Sequence, residues 1–422
     1  MKYILFLTAF VLLISCQQKP LTQEQLNKEL ASQSLAMEED LIALRRDLHQ
    51  YPELAGEETR TAKTIAEHLK ESGLEVHENI GGYGVVGILK TDKPGKHIAW
   101  RADIDALATD FEDPVAFKSV HDGVRHICGH DVHTTIGLGI ARNLSQLKEQ
   151  LAGTYYFVFQ PAEENITGAK AMLDEDLMEL INPDEFYAAH ITPFPAGVIA
   201  TKPKELYAHY KEVSLTLNTT DSEDIRFVSS KMNDLSNVSN PEFGTDASFE
   251  DPVTGIAGSN TMYQDYTLLE TSIYPNSEND QTVLRGYYSF SDQNQLDTFK
   301  KNLQNMIDES PLDQVVIDHN IKPVSYVLQN DPDVTAQSVK ILMNYYPESV
   351  VELSGVFPGG RSDDFALFLE KVPGTYFFLG GSNFEQNKIS MPHAPIFEVD
   401  ESVIQKAVER FSVLMTARAQ TE

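Results

Sequence analysis

The chain has 422 residues, 41% of them hydrophobic, with 33 Lys and Arg against 63 Asp and Glu, a formal net charge of −30. Its length exceeds the ~250–300 residues at which one hydrophobic core stops growing, so two domains are expected. So negative a balance excludes nucleic acid as a partner, which requires a basic face, and fits a protein that handles small molecules or cations.

The first sixteen residues, MKYILFLTAFVLLISC, place Lys2 before an apolar run from Tyr3 to Ile14. That run is shorter than the ~20 residues of a spanning helix and has the form of a signal-peptide core. Leu13-Ile14-Ser15-Cys16 resembles a bacterial lipobox, in which the Cys after the cleavage point is lipid-modified. The expectation is a lipoprotein signal peptide over 1–16, a membrane anchor through lipidated Cys16, and export to the cell envelope, facing the periplasm. A plain signal peptide or an uncleaved anchor is the simpler alternative. Residues 17–37 are polar and read as a tether. With Cys16 acylated, Cys128, the other of two cysteines, has no disulfide partner in the chain.

From Glu38 the pattern is α/β. EEDLIALRRDLHQYPE sets Leu41, Leu44 and Leu48 on one helical face and ends before Pro52. EETRTAKTIAEHLKESG is a second amphipathic helix, stopped by Gly73. YGVVGIL and KHIAWRADID are short apolar strands, Asp131 is placed to cap the helix VHTTIGLGIARNLSQL, and TYYFVFQPAEE is a buried strand broken by Pro161. DEFYAAHITPF reads as a strand ending at His190. Strands alternating with helices imply a layered sheet whose sites gather at the carboxyl ends of the strands, where Asp103, Asp105, Glu163, Glu164 and His190 all fall.

Near Lys204 the character changes. YKEVSLTLN, YTLLETSIYP, TVLRGYYSF and QVVIDHNI read as alternating strands, with helices around Glu223–Leu235 and Gln293–Ile307. The order βαββαβ describes a compact α+β unit over 206–324. The α/β pattern resumes at DPDVTAQSVKILMNYY and runs through DDFALFLEKV and GTYFFLG to a final helix from Asp400. The expected organisation is therefore a layered α/β domain with a mixed sheet in two parts, 38–205 and 325–422, interrupted by an inserted α+β domain.

VRHICGHDVHTT, residues 124–135, concentrates one Cys, three His and an Asp. Cys128 and His130, joined by a Gly that allows a tight loop, favour zinc or a neighbouring transition metal over calcium or magnesium. Glu164 and His190 can converge on that loop from strand ends, and His393 lies in a loop restrained by Pro392 and Pro395. These five residues suffice for two ions if the thiolate or a solvent oxygen bridges them. Glu163 then faces the substrate as general base, because a metal lowers the pKa of bound water from ~16 to ~7. His126 and His133 are outer supports, substrate-facing or structural; His49, His68, His77, His97, His121 and His209 read as ordinary. Cys128 as a nucleophile beside His130 is a competing reading, but it leaves the paired glutamates without a role.

In chain order, LRRDLHQYPELAGEE, RADIDAL, HICGHDVHT, FQPAEE, AAHITPFPAGVI, SDDFALFLEKVPGTYFFLG and HAPIFEVDE resemble the dinuclear metal-dependent aminoacylase and metallopeptidase family. The branch is that of hippurate hydrolase, plant auxin-conjugate amidohydrolases and N-acetyl-diaminopimelate deacetylase. The resemblance implies Cys128, His130, Glu164, His190 and His393 as ligands of two divalent ions, zinc or manganese, and Glu163 as base. It implies Asp103 and Asp105 as supports that orient ligands, N-acyl amino acids or short peptides as substrates, and a catalytic α/β domain whose α+β insertion is a lid and dimerisation-like domain that allows a homodimer. Three features depart from the family pattern. TTDSEDI stands where a Gly-rich turn with a His is usual, Ser289 or a neighbour stands where Arg is usual although Asn279 is kept, and Ala108 replaces the Pro that ends RADxDALP. The expected activity is hydrolysis of the amide bond by metal-activated water. The alternatives are a non-catalytic, metal-containing binding lipoprotein on the same fold, or a metal that is only structural.

Overall fold

The computed structural model describes residues 21–238, 255–359 and 362–420. The signal-peptide expectation and Cys16 lie outside the described residues. Among the described residues no helix is long and apolar enough to cross a membrane.

The stretch expected to be a tether is a helix from Gln23 onward. α1 (Gln23–Ala36) opens with a capping box: Thr22 accepts from the Gln25 backbone, and the Gln25 side chain accepts from the Thr22 backbone. Its Leu26 and Leu30, one turn apart, are 2% and 0% exposed and join the main core. A single narrow apolar stripe in an otherwise polar stretch hid this in composition. α2 (Glu38–Gln50) and α3 (Thr59–Glu71) follow, and α3 stops before Gly73 at φ +78°.

The large sheet takes β1 (Glu75–Ile80), β2 (Gly84–Lys90) and β3 (His97–Asp103). After the small antiparallel pair β4 (Leu107–Ala108) and β5 (Val124–Arg125) comes α4 (His130–Gln146), then β6 (Thr154–Gln160), β7 (Glu185–Pro195) and β8 (Ile199–Thr201). β9 (Lys204–Glu205) leads out to the second sheet, made of β10 (His209–Leu217), β11 (Thr267–Leu269), β12 (Tyr274–Glu278), β13 (Gln281–Phe290) and β14 (Val316–Pro323). β15 (Gln329–Asn330) returns and pairs with β9, so the chain leaves and re-enters at one neck. β16 (Val350–Glu352) and β17 (Gly374–Ser382) complete the large sheet in the order β1-β2-β6-β3-β7-β17-β8-β16.

Its centre, β6-β3-β7-β17, is parallel and its flanks include antiparallel pairs, so the sheet is mixed. The parallel strands are apolar on both faces, as strands covered on both sides must be. One face packs under α1 to α4 and the last helix, Ser402–Ala419; the other packs under Ala169, Met172, Phe365 and Phe368. The second sheet is antiparallel, in the order β11-β13-β10-β14 with β12 also on β13. It carries its own core of Val213, Leu215, Leu284, Tyr288 and Phe290 against Phe299 and Leu303 of the helix Gln293–Asp308.

Candidate metal centre

The site lies at the carboxyl ends of the central strands. β7 does not end at His190, as expected, but runs to Pro195, because its backbone keeps pairing with β17. The shorter neighbours restore the convergence. Ala188 is opposite Arg101, so His190, two residues on, is level with Asp103 at the end of β3, which in turn faces Gln160 at the end of β6.

The loop before α4 brings the first ligand candidates. Gly129, between Cys128 and His130, sits at φ +97°, and a Cβ there would lie 3.1 Å from the Ile191 side chain. Only glycine therefore lets the loop lie against β7. Asp131 is not the cap of this helix, which already begins at His130. Its Oδ2 instead forms an ion pair with Arg45 Nε at 2.8 Å and a hydrogen bond with His49 Nδ1 at 2.8 Å, both from α2. His49, read as ordinary, is buried between Asp131 and Asp113. Those two contacts, each over eighty residues away in sequence, hold the Asp131 carboxylate inside the core.

The structure brings Cys128, Glu164 and His393 together. Cys128 Sγ is 3.2 Å from His393 Nε2 and 3.3 Å from His190 Nε2, and His393 Nε2 is 3.3 Å from Glu164 Oε2. His130 Nε2 stands 3.8 Å from both Glu163 Oε2 and Glu164 Oε1. His393 reaches in from a loop pinned by its own N–H to the Ile127 carbonyl, at 2.8 Å, and is the one exposed member of the group. All five expected ligands and the expected base thus line one cluster.

The hydrogen bonds fix which ring nitrogens are available. The His190 Nδ1 faces only the Ile191 carbonyl, at 2.7 Å, and so carries the proton, leaving Nε2 bare toward Cys128. The His130 Nδ1 likewise donates toward the Asp105 carbonyl at 3.0 Å, with the Asp105 carboxylate 3.1 Å away. Asp105 also accepts from the Glu164 N–H at 2.9 Å. Among the described residues, His130 Nε2 and Glu164 Oε1 are buried and have no hydrogen-bond partner. Buried polar atoms without partners are costly, and a soft-to-borderline cation between thiolate, imidazole and carboxylate satisfies both. The donor set fits a divalent transition metal.

Beneath the cluster lies a polar network the sequence reading did not assemble. Arg101, 1% exposed, donates to Asp103 Oδ2 at 2.6 Å, to both oxygens of Asp363 at 2.9 and 3.1 Å, and to Gln160 at 2.9 Å. Asp363 accepts from the Tyr376 hydroxyl at 2.7 Å, and Asp364 from Gln160 at 2.6 Å and the Ala169 N–H at 2.9 Å. Oxygens of Glu163, Asp363 and Asp364 all lie within 4.8 Å of one another. Burial, then the Asp363 carboxylate, pushes Glu163 well above the usual carboxylate range. Burial also lifts Asp364 to about 7, with Arg101 opposing and Asp363 adding to the rise. Burial acts to raise Asp103 too, but His130, Arg101 and His133 outweigh it and hold that carboxyl well below its ordinary value. Burial, then His133, presses His190 well below the usual imidazole value, so its ring is neutral. Burial, then Glu164, raises the Cys128 thiol; a thiol so placed is no ready nucleophile without a cation.

A family model described as Peptidase family M20/M25/M40 matches residues 99–417. Thermostable carboxypeptidase 1 of Saccharolobus solfataricus is 32% identical over 385 residues, 87% of this chain and 92% of its own. N-acetyldiaminopimelate deacetylase of Enterococcus faecalis is 30% identical over 395 residues, 89% of this chain and 97% of its own. The crystal structure of the Bacillus subtilis YXEP protein, described as a dinuclear metal binding peptidase, matches with a TM-score of 0.72 at 24% identity, covering 92% of this chain and 99% of that one.

Proposed function

The chain belongs to peptidase family M20/M25/M40, and from that premise we propose that it is a two-metal amidohydrolase acting on N-acyl amino acids or short peptides. Cys128, His130, Glu164, His190 and His393 would hold the ions, with the Cys128 sulfur between the two imidazoles that approach it. The observation that carries the reading is the pair of buried atoms without partners, His130 Nε2 and Glu164 Oε1, facing a thiol and two further imidazoles. When bound, zinc or manganese there would polarise the scissile carbonyl and acidify the attacking water.

The chain's own residues divide the remaining work. Asp105 holds the His130 ring and the Glu164 backbone together, so two ligands from different elements share one support. With cations beside it offsetting the burial that raises its pKa, Glu163 would receive the proton of the attacking water and deliver it to the leaving amide nitrogen, giving one carboxylic acid and one amine from amide and water. Its buried surroundings keep bulk water from competing for that proton. The relatives named for this chemistry include a carboxypeptidase and an N-acetyl-amino-acid deacetylase, which supports a substrate with an amide beside a carboxylate-bearing residue. The proposal includes export as a lipoprotein anchored through Cys16 and a homodimer through the inserted sheet; the first rests on the MKYILFLTAFVLLISC segment, the second on the resemblance alone.

The test is a panel of N-acyl amino acids and dipeptides assayed with the parent and with Glu163→Gln. The expected result is hydrolysis by the parent and a kcat reduced by about 10²–10⁴, the usual contribution of general base catalysis, with metal content unchanged. Equal rates in the two proteins would contradict the assigned role. A metal-loaded parent inert across the panel would favour the binding-protein reading instead.

A further inference from the structure

His133 offers the same donor atoms as the ligand histidines and lies among them, with Asp103, His130, His133 and His190 all contributing atoms within 4.8 Å of one another. Its hydrogen bonds exclude it as a ligand. The Ile191 N–H donates to His133 Nε2 at 2.8 Å, so that nitrogen is the acceptor and Nδ1 carries the proton. Nδ1–H in turn donates to Asp103 Oδ1 at 2.6 Å. Both nitrogens are spent, and no lone pair is left for a cation.

What His133 holds is the peptide next to His190. The Ile191 N–H is fixed by His133, and the Ile191 carbonyl is the acceptor that orients the His190 ring. Behind His133 the support continues without a break. Asp103 turns its second oxygen to Arg101, Arg101 is gripped through two nitrogens by Asp363, and Asp363 is fixed by the Tyr376 hydroxyl. Every member is buried. His130, by contrast, has its ring held by Asp105, and His393 has its backbone held by the Ile127 carbonyl. Asp103 also stands 3.8 Å from His130 Nε2, but among the described residues the hydrogen bonds that orient these two rings are separate, and only that of His190 continues into this relay.

Resting on the proposed two-metal centre, we infer that His133 is a positioning residue, whose link from Asp103 to the Ile191 backbone fixes the His190 ring and so sets the affinity of the one ion that His190 ligates. A ligand ring freed to turn binds metal more weakly, and losing such a support typically costs about 10–100-fold in metal affinity. The other ion, held by ligands with their own supports, keeps its affinity.

The experiment is zinc titration of the metal-free full chain against a chromophoric chelator, for the parent, His133→Leu and His133→Gln, with unfolding midpoints of the metal-free proteins measured alongside. The parent is expected to take up two equivalents. His133→Leu is expected to keep one tight equivalent and to bind the second about 10–100-fold more weakly. The amide of His133→Gln can still donate to Asp103 and accept from Ile191, and is expected to recover most of the second affinity. Two unaltered sites in His133→Leu would overturn the inference. So would parallel weakening of both sites following a lowered midpoint, or a Gln variant no better than Leu, since each marks a role in general packing alone. A parent that takes up no zinc overturns the metal-centre reading itself, and the relay with it.

Discussion

The two sheets of this molecule are built from similar strands but filled differently. Around the carboxyl ends of β3, β6 and β7 the interior is crowded with charge: Arg101, Asp103, Asp105, His130, Asp131, His133, Glu163, Asp363 and Asp364 are all buried. The core of the second sheet, between β10, β13 and the helices that cover them, is assembled from aliphatic and aromatic side chains and two methionines. Its ion pair between Arg285 and Glu212 is long, at 3.8 Å, and half exposed. Burying charge is costly unless it is paired and hydrogen-bonded. A fold tolerates such a concentration where the charged groups are held in one hydrogen-bonded geometry, so the contrast separates a region organised around a buried polar network from one held by apolar packing.

Two substitutions sharpen this contrast. Arg101→Met should have the larger effect, because it leaves Asp103, Asp363 and Asp364 buried without their cation. Removing one partner of a buried pair costs about 3–5 kcal/mol, readable as a lowered denaturant midpoint, and the loss of the Asp103 anchor should reduce metal uptake as well. A variant as stable as the parent would mean that the network is dispensable. Leu303→Ala in the second sheet's core should cost about 2–5 kcal/mol by removing a fully packed side chain, while metal content per folded chain stays that of the parent. Loss of metal in this variant would break the separation between the two regions.

How much of this was legible in the sequence follows from the range of the interactions. Cys128-Gly129-His130 and Glu163-Glu164 announce themselves because their members are adjacent, and the strand-helix alternation located the mixed sheet because periodicity is local. The Arg101 to Asp363 pairing spans 262 residues, and no local signal in RADIDAL or SDDFALFLEK says that the two meet. The role of His133 depends on a backbone N–H at Ile191, which no side-chain pattern marks. Asp131 looked like a helix cap because caps are local; Arg45 and His49 outbid that position through tertiary contact. α1 failed to show because two leucines one turn apart, with a polar remainder, give a weak amphipathic signal that only packing against the last helix and α4 turns into a core element.

The central claim is that Cys128, His130, Glu164, His190 and His393 together hold two metal ions. Elemental analysis of the purified protein beside a Cys128→Ala, His190→Ala double variant tests it most directly. The account predicts close to two equivalents of zinc or manganese in the parent and their loss in the variant. A parent that holds no transition metal after reconstitution, or a variant that retains both equivalents, would contradict it.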